Sequence, residues 1–290
     1  MSSRSGTSAV LPTVQSDQVM AQSGAENFPV APFVLSKAVR SHLLAIYGFA
    51  RLTDDIGDEA DGDRLAQLDW LDAELMRSAE GRAEHPVMVR LTPTITELGL
   101  PLQPMRDLIE ANRQDQRITG YRTFDDLVGY CMLSAAPVGR LVLEVFGEAT
   151  PERIALSDDI CVALQVVEHL QDVGEDAGRG RVYLPRAELD AAGVVDEELT
   201  AAHASPALRR VVAVQAARAR RLLGSGRTLA ATLPWRPALA VRGFTGGGLA
   251  VLDSLTAARY DVLGVACTPR RDRVLLHALV PPRSLGGMTA

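Results

Sequence analysis

Residues 47–59 read YGFARLTDDIGDE, with four acids in the last six positions. At about 100° per residue, a helix through this stretch brings Tyr47, Arg51, Asp54 and Asp58 within about 60° of one another. Asp55 and Glu59 point elsewhere. Like charges one turn apart repel. A helix that keeps Asp54 and Asp58 on its packed side therefore needs a cation to neutralise them. The apolar residues that share this helix predict that it packs rather than floats in solvent.

A second stretch answers the first. Residues 165–185 read QVVEHLQDVGEDAGRGRVYLP. Gln165, Glu168, Asp172 and Asp176 recur at i, i+3, i+7 and i+11, on one helical stripe. Leu164, Val167, Leu170 and Val173 make the same helix largely apolar. A lone acidic stripe reads as a solvated helix face. Two such stripes on two core helices can instead face each other across a cavity. Carboxylate oxygens are hard ligands suited to Mg²⁺, which takes one or two carboxylates and completes its shell with water and phosphate oxygens. Two incomplete cages facing each other suit a diphosphate.

Working outward, nearly every segment between residue 25 and residue 281 carries apolar residues at helical spacing. Aromatic residues are only 4% of the chain, and Ala, Leu, Arg and Glu dominate, which favours helix over strand. Helices are predicted at roughly 36–58, 63–79, 86–98, 103–117, 123–146, 151–175, 185–192, 205–230, 235–262 and 269–279, broken at Pro and Gly. No linker divides the chain. The expected organisation is a disordered N-terminal tail over 1–25, a single all-α domain over 26–280, and a disordered tail over 281–290. At 290 residues the chain is long enough to bury a large core.

Composition excludes several classes. The net charge of −6 offers no electrostatic grip on nucleic acid. Cys131, Cys161 and Cys267 are widely spaced, which reads as reduced thiols and a cytoplasmic location. No Cys/His cluster forms a zinc pattern. No apolar run approaches the ~18 residues that span a bilayer. His42, His85, His203 and His277 share no ligand spacing, and His169 reads as a packing residue. Phe28, Phe49, Phe124, Phe146 and Phe244 read as core. The small residues of 134–139 would let a substrate chain, or a neighbouring helix, pass close to the backbone.

The two acidic stretches resemble the paired aspartate-rich motifs of the squalene/phytoene synthase family. ENFPVA at 26–31 and SAAPVGRLVL at 134–143 are similar, more narrowly, to the hydroxysqualene synthase branch of bacterial hopanoid biosynthesis. The resemblance implies a trans-isoprenoid synthase fold, a helical bundle around an apolar tunnel with acidic stripes at its mouth. It implies ionisation of presqualene diphosphate, rearrangement of the cation, and capture by water to give hydroxysqualene, with no NADPH. It implies Mg²⁺, three ions with the bound diphosphate. Partner enzymes of the same pathway and peripheral contact with the inner face of the cell membrane accord with an insoluble product.

Residue by residue, the resemblance makes Asp54, Asp58, Glu168, Asp172 and Asp176 metal ligands. Tyr47, Arg51 and Tyr183 become catalytic residues. Asn27, Gln165, Arg181, Tyr260 and Arg271 become substrate-binding residues. Two positions depart from the pattern: Glu168 and Ala136 stand where asparagine is expected. Two other readings stay open. One is head-to-head condensation of two prenyl diphosphates to presqualene diphosphate, squalene or phytoene. The other is a catalytically inactive helical partner of such an enzyme.

Overall fold

Helix boundaries follow start and stop residues visible in the sequence. The structure, a computed structural model, describes residues 35–268 and 271–279. The 1–25 segment, Asn27, the ENFPVA stretch and the 281–290 segment lie outside the described residues. Helix α1 (Lys37–Asp58) starts at Ser36, whose side chain accepts from the Val39 amide. It buries Leu43, Ile46, Phe49, Leu52 and Ile56. Asp63 caps α2 (Arg64–Ala79). Helix α3 (Pro86–Leu98) opens on proline and closes on Gly99, whose φ of 64° is the left-handed conformation that glycine adopts without penalty. Helix α4 (Gln103–Asp115) follows, then α5 (Phe124–Ser134), which begins in a reciprocal Thr123–Asp126 capping box.

The predicted 123–146 helix is two helices, because α6 (Ala136–Phe146) starts afresh after Ala135. Pro137 is the reason: it lacks an amide proton and its ring clashes with the preceding turn. The predicted 151–175 helix likewise divides into α7 (Pro151–Gln171) and the short α8 (Val173–Gly178), with Asp172 at the joint. Helix α9 (Arg186–Ala192) and a 3₁₀ turn (Asp196–Thr200) lead into α10 (Pro206–Leu222) and α11 (Ser225–Thr232). Helix α12 (Trp235–Ala257) ends five residues earlier than predicted, and α13 (Arg271–Leu279) packs along it. Among the described residues there is no strand, only an isolated parallel bridge between Gly120 and Val182.

Two apolar cores result. One gathers Phe49, Leu52, Ile56, Leu68, Leu75, Leu91 and Ile109 from α1 to α4. The other gathers Leu127, Val162, Val166, Leu170, Leu208, Val212 and Leu255 from α5 to α12. Each fully buried Leu, Ile or Phe contributes about 1.5–3 kcal/mol relative to exposure. Helix α6 belongs to both cores, through Leu141 and Val145 on one side and Leu143 on the other. The space left where the cores meet is a cavity walled by α1, α6, α7, α11 and α12.

Candidate active site

The cavity holds about 580 Å³. Both acidic motifs reach its wall. Tyr47, Arg51 and Asp54 come from α1, and Gln165, Glu168 and Asp172 from α7 and its end. Their helical spacing places them there: each set rides the stripe of its helix that meets the core at one end and the cavity at the other. The remaining wall is mostly apolar, with Ile46, Val138, Val142, Ile160 and Leu164 among its residues. Phe146 and Phe244 line it too, whereas Phe49 is fully enclosed in the core.

Around the first motif, α4 supplies Asn112, which the stretch EANRQDQ at 110–116 offers, with Asp115, as a polar group inside a helix. The Asn112 side chain donates to Asp54 Oδ1 at 3.1 Å. Gln116 donates to the Gly57 carbonyl at 2.9 Å. Gly57 is what lets the two helices approach, since a Cβ there would collide with the Asn112 amide. Asp54 is open to the cavity yet enclosed by protein on its other sides. That loss of solvation pushes its carboxyl up to about 7, against the Asn112 hydrogen bond, with Asp58 adding repulsion. Arg51 pairs with Asp55 at 2.8 Å and lies 3.6 Å from Glu59, so the off-stripe acids hold the arginine in place.

The second motif meets the first through its following loop. Arg181 Nη1 lies 2.7 Å from Asp58 Oδ1. That loop is pinned by the Val182 amide, which donates to the Thr119 carbonyl at 2.7 Å. Asp176 faces a notch shared with Arg181, Tyr183 and His169 rather than the main cavity. Burial and then the nearby Asp172 push its carboxyl up to about 7. Asp172 is raised as well, by burial and then by Glu175. His169 packs, as its position on the helix predicts: its ring stacks on Tyr183 at 3.7 Å between centroids and 10° between planes. Burial pushes this imidazole down to about 3, so it is neutral.

Behind Tyr183 lies a second polar group, centred on Asp115. Asp115 accepts from the Tyr130 hydroxyl at 2.7 Å and from the Tyr183 hydroxyl at 3.4 Å. Burial raises its carboxyl to about 6. The sequence offers Asp115 as a polar group inside its helix, facing the site or salt-bridged at the surface, but not its partners Tyr130 and Tyr183.

Of the residues read from the sequence, Tyr47, Arg51, Asp54, Gln165, Glu168 and Asp172 share the cavity wall, and Asp58, Asp176, Arg181 and Tyr183 cluster beside it. Tyr260 does not reach the wall; it sits in a left-handed turn after α12 and packs on the larger core. Arg271 opens α13, and its side chain lies outside the described residues, as does Asn27. Ala136 is fully buried beside the wall residues Ser134 and Ala135.

The donor set fits hard divalent cations. Among the described residues, no three His, Cys, Asp or Glu side chains converge into a closed cage. The acids instead stand in two open rows, raised in pKa by burial and by one another. Such rows would repel a diphosphate unless cations lay between them, and Mg²⁺ accepts a shell completed by water and phosphate oxygens.

The chain is similar to known proteins. The squalene/phytoene synthase family matches residues 21–278. A hydroxysqualene synthase of Rhodopseudomonas palustris is 44% identical over 213 residues, 72% of this chain and 71% of that protein. One from Sinorhizobium fredii is 41% identical over 208 residues, 70% of each. Among solved structures, the squalene synthase HpnC from Alicyclobacillus acidocaldarius aligns with a TM-score of 0.79 at 41% identity, covering 85% of this chain and 93% of that one.

Proposed function

This chain belongs to the squalene/phytoene synthase family, and we propose that it is a hydroxysqualene synthase acting on presqualene diphosphate. It is an isoprenoid synthase with the all-α fold of that family. The observation that carries the finer reading is the joining of both carboxylate rows to one apolar cavity, with Arg181 bridging from the second motif to Asp58 of the first.

In this reading Asp54 and Asp58, with Glu168, Asp172 and Asp176, would hold Mg²⁺ and, through it, the diphosphate. Three bound Mg²⁺ ions would supply Lewis-acid stabilisation of the departing diphosphate, worth several kcal/mol. Arg181, paired with Asp58, and Tyr183, bonded to Asp115, would stand at the edge of the same leaving group and offer it charge-assisted hydrogen bonds. The Asp55 and Glu59 carboxylates fix the Arg51 side chain at the cavity edge, and Asn112 fixes the Asp54 carboxylate. The apolar wall from Val138 to Leu164 holds the thirty-carbon chain. There the carbon–oxygen bond to diphosphate breaks, the cyclopropylcarbinyl cation rearranges, and water adds and loses a proton. No hydride is consumed, so NADPH is not needed.

Incubation of the purified protein with Mg²⁺ and presqualene diphosphate, without NADPH, tests this. Hydroxysqualene in the lipid extract is expected. Presqualene diphosphate accumulating from farnesyl diphosphate, with no turnover of presqualene diphosphate itself, would make the chain a condensing enzyme instead.

A further inference from the structure

We propose that the hairpin of α11 and α12 is a docking surface for an anionic lipid bilayer, with Trp235 as its wedge. The first observation is charge. From Leu199 to Leu252 the chain carries eight arginines and no Asp or Glu, although the whole protein is at −6. Three of the eight are engaged elsewhere: Arg209 with Asp261, Arg218 with Glu188, and Arg220 with Asp253. Arg236 and Arg242 are exposed on the hairpin itself.

The second observation is an aromatic side chain facing water. Trp235 opens α12, between Pro234 and Arg236, and 65% of its surface is exposed. The Arg236 guanidinium stands 5.0 Å from the indole centre. Arg242 lies seven residues on, hence on the same face of α12 as Trp235. On α11, Gly226 packs against Thr245 of α12, which holds the two helices of the hairpin together. The tip thus presents one large apolar ring flanked by Arg236 and Arg242, and beside it Arg153 holds the Thr232 carbonyl and pairs with Glu148.

The third observation is what lies beneath. Leu229 of α11 and Val241 and Phe244 of α12 line the apolar cavity. The same two helices therefore carry the cavity wall on one side and the arginines on the other. A protein partner would need on the order of 800 Å² of complementary surface per side. A projecting indole flanked by Arg236 and Arg242 fits a headgroup layer instead, where aromatic rings settle at the interface and guanidinium groups meet anionic lipid. On the reading of the chain as a synthase of an apolar product, this docking sets the cavity against the bilayer that receives that product.

Co-sedimentation of the full-length protein with vesicles tests the proposal, using phosphatidylglycerol and phosphatidylcholine at about one to two, and phosphatidylcholine alone. Binding to the anionic vesicles only, weakened by salt and accompanied by a blue shift of tryptophan emission, is expected. Trp235→Ala, and separately Arg236→Glu with Arg242→Glu, should each weaken binding about tenfold or more and leave the melting temperature and the turnover of detergent-dispersed substrate unchanged. Trp235→Ala should also lose the blue shift. Absence of binding to anionic vesicles, binding indifferent to these substitutions, or binding that needs a second protein would each overturn it. The vesicle arm contains no substrate, so failure of the synthase reading would leave its outcome intact.

Discussion

Asp54 and Asp172 illustrate how a single carboxylate can be costly to the fold and needed by the site. Each sits at the cavity with its pKa raised by burial and by neighbouring acids. Asp54→Asn or Asp172→Asn should reduce turnover by at least about a hundredfold, the loss expected when several kcal/mol of metal-borne stabilisation goes. The melting temperature should hold or rise, because a repelling charge is removed. Steady-state kinetics and calorimetry on the same preparations check both halves. Asn112 acts through Asp54, so Asn112→Ala should lower kcat by about tenfold, as loss of an orienting hydrogen bond to a ligand does. Gly57→Ala should do the same by pushing the amide aside. The acidic rows were legible in the sequence because helical spacing is a local property. The Asn112–Asp54 bond and the Asp115–Tyr130–Tyr183 group were not. Their members are 58, 15 and 68 residues apart, and only the packing of α4 on α1, on α5 and on the loop that carries Tyr183 unites them.

Among the elements, most boundaries announced themselves through Pro, Gly and capping side chains. The misread ones have physical causes. Pro137 forced the break before α6, and the small residues around it disguised the break as helix. Helix α12 stops at Ala257 because the chain turns through Arg259 and Tyr260 at φ values of 51° and 59°, and the Tyr260 amide donates to the Leu255 carbonyl at 2.8 Å. Non-glycine residues in that conformation cost about 1–2 kcal/mol each. Asp261 offsets it: the carboxylate accepts from the Ala204 amide at 2.8 Å and the Gly264 amide at 3.2 Å, and pairs with Arg209 at 2.6 Å. These backbone amides first, aided by Arg209 and His203, hold the carboxyl down at about 2. A depressed native pKa stabilises the fold above the ordinary carboxylate value and is lost as pH falls toward 2. Asp261→Asn should therefore cost about 2–4 kcal/mol at pH 7, with the deficit shrinking below about pH 4. Denaturant titrations across that range measure it. At the α6–α7 contact, Gly139 abuts Ser157 and Cys161. Gly139→Val should destabilise by about 1–3 kcal/mol through overpacking and narrow the cavity, raising KM for a thirty-carbon substrate.

At the scale of the whole molecule, two apolar cores joined by α6 leave a cavity whose mouth carries the two acidic rows. The fold class and the pairing of the rows could be read from residues 47–59 and 165–185. A cavity between the rows was expected, but the share of its wall that comes from Leu229, Val241 and Phe244 was not, because the cavity is the space that two cores fail to fill. The placement of Tyr260 away from the wall escaped for a similar reason, since it depends on how α12 ends. The central claim is that the rows act together on one diphosphate. Calorimetric unfolding with Mg²⁺ and inorganic diphosphate, separately and together, tests it most directly. Together they should stabilise the protein by about 2.7 kcal/mol at a hundredfold excess over the dissociation constant. Either alone should do far less, and Asp54→Asn and Asp172→Asn should each abolish the joint effect. A joint effect that survives substitution of either row, or stabilisation by diphosphate without metal, would contradict the account.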